Sequence, residues 1–263
     1  MSQTPSISLR ELNRGVAAVQ TQVVRDLWPS WNTSAPVNPF FRLEDVPLGH
    51  WPVVIRDDVG PTTAGIHRFE GTPVGVSPAA GDWTLSVSRV VLDLLVNPDG
   101  RRRLVGPAPD ETGAVEYVAA VAAVGDQRFQ YDIQGYPVSG FVFPAFYQGV
   151  VGPFDISGHI EQARQVVPGG HLIWWDSGTG RWWQQRWTTD DGPEQMSIEI
   201  DPGGDVERQH RHLEETATTT AEIDLRGSTG RRPSAATRRS ARLSDHLNSL
   251  TSGHRSPNES PNR

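Results

Sequence analysis

The residues that constrain the fold most strongly are Ser86-Val-Ser-Arg-Val-Val-Leu-Asp-Leu-Leu-Val-Asn-Pro-Asp-Gly100. Asp82-Trp-Thr-Leu-Ser86 precedes a predicted helix that runs through about Val96. Asn97-Pro98 ends it, because the residue before a proline disfavours the α conformation. Its buried side is supplied by Val91, Leu92, Leu94 and Leu95.

Working outward, the chain on either side predicts a second helix and several strands. Ser8-Leu-Arg-Glu11 is a capping box, followed by apolar residues at spacings of three and four up to Leu27. Trp28-Pro29 is expected to end that helix. Residues 51–56 predict a buried strand, and residues 115–124 and 129–135 predict two strands joined at Gly125-Asp126. Residues 1–200 are therefore expected to form one α+β domain, with the two helices packed on a mixed or antiparallel sheet.

Residues 170–190 predict a β-hairpin rich in tryptophan, with its turn at 176–180. We expect Trp174 with Trp182, or Trp175 with Trp183, to share a face, which leaves one set buried and one partly exposed. Two interpretations stay open. The tryptophans, with Arg181 and Arg186, form a platform for a carbohydrate or a protein, or the hairpin only covers the sheet. The candidate binding residues are Trp174, Trp175, Trp182, Trp183 and Arg186.

Composition and charge exclude several classes of chemistry. The chain has no cysteine, and all 24 basic residues are arginine. Disulfides, thiolate catalysis, a Schiff base and a Walker-type phosphate loop are therefore excluded. The sequence shows neither an apolar run of bilayer length nor a signal peptide, so we expect a cytoplasmic protein without a membrane partner.

Residues 201–263 form a tail poor in aliphatic residues, which we expect to be disordered. From Arg226 onward it carries eight arginines and two acidic residues, whereas the rest of the chain is acidic. Arg231-Arg232 and Arg238-Arg239 are candidate contacts for nucleic acid. A solvated tail without a partner is the alternative interpretation.

Several segments between Leu12 and Trp187 resemble a family of bacterial and phage-associated zincin-like proteins that are treated as metallopeptidases. Ser88 to Pro98 is similar to the family helix S-H-E-x-L-E-M-L-x-D-P. Residues 19–31 are similar to its A-x-Q-x-Q-V-x-R-D-F-x-P-x-W opening, and Ala64-Gly-Ile-His67 to its A-x-G-Y-H strand. Residues 129–147 and 168–185 are similar to its Y-G-Y-x-I-x-G-x-x-V-S-D-F segment and its closing P-G-G-Y…W-Q-Q hairpin. The resemblance implies a zincin-like fold and, in intact relatives, a zinc site.

The resemblance implies that, in members of that family, this helix supplies a zinc-binding His, a general-base Glu and a second acidic ligand. The corresponding residues here are Arg89, Val90 and Asp93. Arginine is a cation without a lone pair to donate to a metal, and valine cannot transfer a proton. We expect no zinc in this chain, and an Arg89–Asp93 salt bridge at i, i+4 in its place.

The acidic, cysteine-bearing strand of the family corresponds to residues 119–125, which are Ala, Val and Gly, and the aspartate of S-D-F corresponds to Gly140. His67, Glu116 and Asp93 are the candidate remnants of a site. Three hypotheses follow. The first is a non-catalytic relative acting through protein contacts, as part of a phage-like or secretion-associated particle. The second is a metal-dependent hydrolase, a peptidase, with an altered site that uses His67 or His171 with Asp57, Asp58 or Asp93. The third is a nucleic-acid-associated protein that binds through its tail.

Overall fold

The helix α3 (Trp83–Val96) is the centre of the computed structural model. The structure describes residues 6–57, 66–69, 72–121, 129–187 and 192–198, all within the unit Met1–Thr220. Nine of the fourteen residues of α3 are buried. A helix that is apolar on most sides is stable only when other elements cover it from several directions. The predicted tail at 201–263, with its arginine pairs, lies outside the described residues.

The N-terminal helical region runs further than the sequence predicts. α1 (Leu9–Gln22) begins at Ser8, whose hydroxyl accepts a hydrogen bond from the Glu11 amide at 3.3 Å. A π-helical turn (Val23–Leu27) follows, and then α2 (Trp28–Trp31). The predicted end at Trp28-Pro29 is wrong. Pro29 lies in the first turn of α2, directly after the π-helical turn, and the helical region continues past it to Trp31. Trp31 Nε1 donates to the Val142 carbonyl at 2.8 Å.

Ten strands are present among the described residues: β1 (Val53–Arg56), β2 (Ile66–Phe69), β3 (Pro73–Pro78), β4 (Arg103–Pro107), β5 (Ala114–Val118), β6 (Gln130–Ile133), β7 (Tyr136–Ser139), β8 (His171–Asp176), β9 (Arg181–Arg186) and β10 (Glu194–Ile198). They form a three-stranded sheet in the order β1-β3-β2, a five-stranded sheet in the order β10-β9-β8-β5-β4, and the pair β6-β7. Of these ten described strands, only β1 and β3 pair in parallel. The α+β class with largely antiparallel pairing is confirmed. A further short helix, α4, spans Ala145–Gln148.

The strand predicted at 51–56 is present as β1, but the predicted pairing across Gly125-Asp126 is wrong. β5 pairs with β4 and β8, whereas β6 pairs with β7 in another sheet. Gln134 and Gly135 join β6 to β7, both with positive φ, at 56° and 84°. Such a two-residue turn matches the twist of a tight hairpin, so the nearer strand becomes the partner of β6. Gly125 and Asp126 lie outside the described residues.

Two apolar clusters meet on α3. Leu92 and Val96 belong to a cluster with Tyr117 of β5 and Trp174 of β8. Val87 and Val91 belong to a second cluster, with Ile55 of β1 and with Leu12, Val16, Val19 and Val23 of the N-terminal helical region. Val91 and Leu92, which are adjacent in the helix, therefore contribute to two different cores. α3 cannot rotate about its axis without exposing one of them.

The glycine at position 106 in β4 allows α4 to pack closely on the large sheet. A Cβ atom at Gly106 would lie 1.9 Å from the carbonyl oxygen of Tyr147, whereas a Cβ at Gly113 would meet nothing within 4 Å. We expect Gly106→Ala to lower the free energy of unfolding by about 2–3 kcal/mol, because backbone must move to accommodate the methyl group. Gly113→Ala, the matched control, should change it by less than about 1 kcal/mol. Urea unfolding of both variants measures the difference, and equal values would contradict the close approach.

Candidate functional site

The three positions on α3 that the sequence resemblance assigns to a metal helix lie in two different environments. Val90 is buried and packs on β3, where a Cβ at Gly75 would lie 2.3 Å from Val90 Cγ1. Arg89 and Asp93 are only partly buried. A glutamate at position 90 would place its carboxylate in an apolar contact with β3, where an unpaired charge costs several kcal/mol. Position 90, which the resemblance aligns with a general base, is therefore part of the core.

The Asp93 carboxylate holds the segment Ala119–Val121, part of the stretch that the resemblance aligns with an acidic strand. Asp93 Oδ1 accepts a hydrogen bond from the Val121 amide at 3.0 Å. Asn97 Nδ2 donates to the Ala119 carbonyl at 2.8 Å. The Tyr147 hydroxyl donates to the Ala120 carbonyl and accepts from the Ala120 amide. Helix α3 and Tyr147 thus satisfy this segment through its backbone, and Asp93 acts there as a structural acceptor.

His171, the first residue of β8, lies near Arg89 and Asp93. Burial lowers the pKa of the His171 imidazole below its usual value, the Arg89 guanidinium lowers it further, and the Asp93 carboxylate opposes both. Burial also raises the pKa of the Tyr147 hydroxyl, with a smaller contribution from Asp93. Of the combinations that the sequence left open, His171 and Asp93 lie close enough to interact electrostatically.

Arg89 and Asp93 each take part in further polar or electrostatic interactions. The salt bridge between them that the i, i+4 spacing predicts stays a prediction. Among the described residues, no group of three or more His, Asp or Glu side chains is placed to hold a metal ion. Asp93 and His171 supply two donors beside a guanidinium, so the residues present do not fit the three-ligand set of a catalytic zinc.

Of the other candidate residues, the structure describes the side chains of Asp57 and Glu116. His67 lies on β2 with Gly75 as its Cα partner, and its side chain is outside the described residues, as is Asp58. Asp57 is exposed and accepts a hydrogen bond from the Ser6 hydroxyl at 3.1 Å. Glu116 is exposed on β5.

At Gly140, a Cβ would lie 1.9 Å from the Phe129 carbonyl oxygen. The family's aspartate therefore does not fit at this position without backbone movement.

The tryptophan register differs from the prediction by one residue. In the structure Trp174 lies opposite Trp183, and Trp175 lies opposite Trp182. The predicted pairs Trp174/Trp182 and Trp175/Trp183 are wrong, because the four-residue turn 177–180 pairs Asp176 with Arg181 and fixes every later pair. Trp174 is 3% exposed and contacts Tyr117 with ring centroids 6.1 Å apart. Trp183 packs against the same core cluster.

The opposite side of these strands presents what we call the aromatic face: Trp175, Trp182, Arg103 and Glu116. The rings of Trp175 and Trp182 lie 5.5 Å apart at 52°, and the Arg103 guanidinium carbon lies 5.1 Å from the Trp182 ring centroid. Burial lowers the pKa of Arg103, and Glu116 partly offsets this. Arg103 was not among the predicted residues, since only the pairing of β4 with β5 brings it here.

Of the two arginines predicted for the hairpin, Arg186 lies opposite His171 and Arg181 lies opposite Asp176. Arg186 is partly buried. Its Nε atom is buried without a hydrogen-bond partner among the described residues.

Comparison with known proteins adds no relative, since no family model, curated protein or solved structure matches the chain. Within the described residues no helix is both long and apolar enough to cross a membrane.

The lowered pKa of His171 makes folding stability depend on pH. The unfolded chain takes up a proton near the ordinary histidine pKa of about 6.5, whereas folded His171 takes it up at a lower pH. We expect the free energy of unfolding to fall as pH drops below about 6.5, until the folded state is also protonated. The loss should be about 1.4 kcal/mol per unit of pKa lowering.

Chemical denaturation of the wild type between pH 7.5 and 4.5 checks this expectation. His171→Gln should remove that part of the pH dependence, and Arg89→Gln should reduce it, because the guanidinium that disfavours the imidazolium is gone. A wild type and a His171→Gln variant with the same pH dependence would contradict the assignment.

Proposed function

We propose that the chain is a non-catalytic relative of the zincin-like family that acts by binding a protein partner, as a component of a phage-like or secretion-associated particle. The observation that carries this proposal is the role of α3. Val90, at the general-base position, is packed against Gly75. Asp93, at the position of the second ligand, hydrogen-bonds the Val121 amide. Both positions serve the core in place of a metal.

The aromatic face is the surface we assign to the partner. Tryptophan and arginine dominate the binding energy of protein interfaces. Trp175 and Trp182 keep part of their surface exposed, although Trp174 and Trp183 on the other side already join the sheet to its core. A guanidinium placed over the Trp182 ring pre-orders this surface for a partner with acidic or aromatic groups.

A metal-dependent hydrolase with an altered site is the second candidate function. The proximity of His171 to Asp93 favours it, since imidazole and carboxylate are both zinc ligands. The Arg89 guanidinium weighs against it, because a cation beside the two donors repels a second cation. The two candidate functions predict different zinc contents for the purified protein.

Zinc content after dialysis against zinc and then buffer distinguishes them. We expect the wild type to hold less than about 0.1 equivalent, and Arg89→His to hold about one, because the new imidazole lies one helical turn from Asp93 and near His171. Arg101→His, an exposed site, is the control for adventitious histidine binding. Val90→Glu is avoided because it buries a charge against β3.

Elemental analysis by mass spectrometry gives these values. Stoichiometric zinc in the wild type would overturn the non-catalytic proposal in favour of a hydrolase. An Arg89→His variant that folds and stays metal-free would instead contradict the relation of α3 to a metal helix.

The two interpretations of the tryptophans predict different stabilities. We expect Trp174→Ala to lower the free energy of unfolding by about 3–5 kcal/mol, as for a large buried side chain. Trp182→Ala should lower it by only about 1 kcal/mol, since the Trp182 ring is partly exposed. Thermal and urea unfolding measure both. Equal losses would favour the interpretation in which the hairpin merely covers the sheet.

A further inference from the structure

The long segment between α2 and β1 forms one wall of a cavity of about 460 Å³. Between Trp31 and Val53 its regular structure is a single 3-10 turn, Leu43–Asp45. Long loops of this kind within a domain are usually either functional, as in binding loops, or linker segments. The volume lies within the roughly 300–1,000 Å³ of small-molecule sites.

The wall of the cavity is fixed to the helices that it faces. The Val37 amide donates to Gln20 Oε1 of α1 at 2.5 Å, and the Thr33 hydroxyl donates to the Leu95 carbonyl of α3 at 3.2 Å. These two bonds anchor residues 33–37 of the segment to both helices. An anchored wall lowers the entropic cost of ordering it on binding.

The cavity lining is aliphatic and buried at the floor, and it includes exposed polar side chains at the mouth. The floor consists of buried aliphatic side chains: Val16, Ile55, Val87, Val91 and Leu94. Exposed lining residues with polar side chains are Ser34, Asn38 and His50, and the His50 ring contacts the edge of Phe40 at 6.2 Å. Apart from His50, no described lining residue carries an ionisable side chain.

We propose that this cavity binds an uncharged amphiphile with a single alkyl chain, the chain on the aliphatic floor and a hydroxyl or carbonyl head beside His50 and Asn38. An alkyl chain gains free energy by leaving water for such a floor. A charged head has no countercharge in the described lining, and an anionic head is disfavoured further by the net charge of −7. This site is independent of α3's metal-helix positions and of the aromatic face.

The test is calorimetric titration of the full chain with 1-decanol and with decanoate. We expect 1-decanol to bind one site per chain with a negative heat-capacity change, and decanoate to bind at least about tenfold more weakly. Ala35→Trp, which fills the cavity from its wall, should weaken decanol binding at least about tenfold. Ala17→Trp, on the exposed face of α1, should bind as the wild type does.

Unfolding midpoints establish that each variant is folded, and Val37→Phe is the second filling variant, because it retains the backbone amide that donates to Gln20. No decanol binding by the wild type, or unchanged binding by both filling variants, would overturn the site. Equal binding of decanoate and decanol would overturn the assignment of an uncharged head.

Discussion

The burial of α3 on several sides is the constraint on which the rest of the structure depends. Its valines and leucines are divided between two apolar clusters and the contact with Gly75. A helix in this position gains most of its stability from packing, because its own hydrogen bonds contribute little net free energy. The two larger sheets and α1 take their positions because they cover the apolar side chains of α3.

Several polar side chains of α3 form hydrogen bonds with backbone groups of neighbouring segments. The Ser88 hydroxyl accepts from the Ser139 amide at 2.7 Å, and the Thr84 hydroxyl donates to the Pro137 carbonyl at 2.8 Å. Asp93 and Asn97 do the same for the segment Ala119–Val121. Buried polar groups cost free energy unless they are paired, and here each attaches an irregular segment or strand edge to the helix.

Local signals explain which parts of this fold were predictable. The C-terminal end of α3 and the cap at Ser8 follow from residues adjacent in sequence, whereas α3 begins at Trp83, earlier than the sequence predicts. The helical spacing of Arg89 and Asp93 was enough to place both on one side of α3. The sequence did not predict which strands share a sheet. The turn at Gln134-Gly135 determines that β6 pairs with β7, and its positive φ values are not evident from the sequence. His171 and Arg103 reached their sites through pairings between strands distant in sequence, which no local periodicity encodes.

The π-helical turn at Val23–Leu27 has a consequence for how the chain tolerates changes in length. A π turn accommodates one residue more than an α-helical turn, and each residue of an α-helix advances it by about 100°. If the same residues took up regular α geometry at unchanged length, α2 would be rotated by roughly that angle, and Trp31 would lose its bond to the Val142 carbonyl. Deleting one residue there would restore α geometry with the phase of α2 nearly kept, because the π turn absorbs that residue. This turn therefore sets the rotational phase between α1 and Trp31.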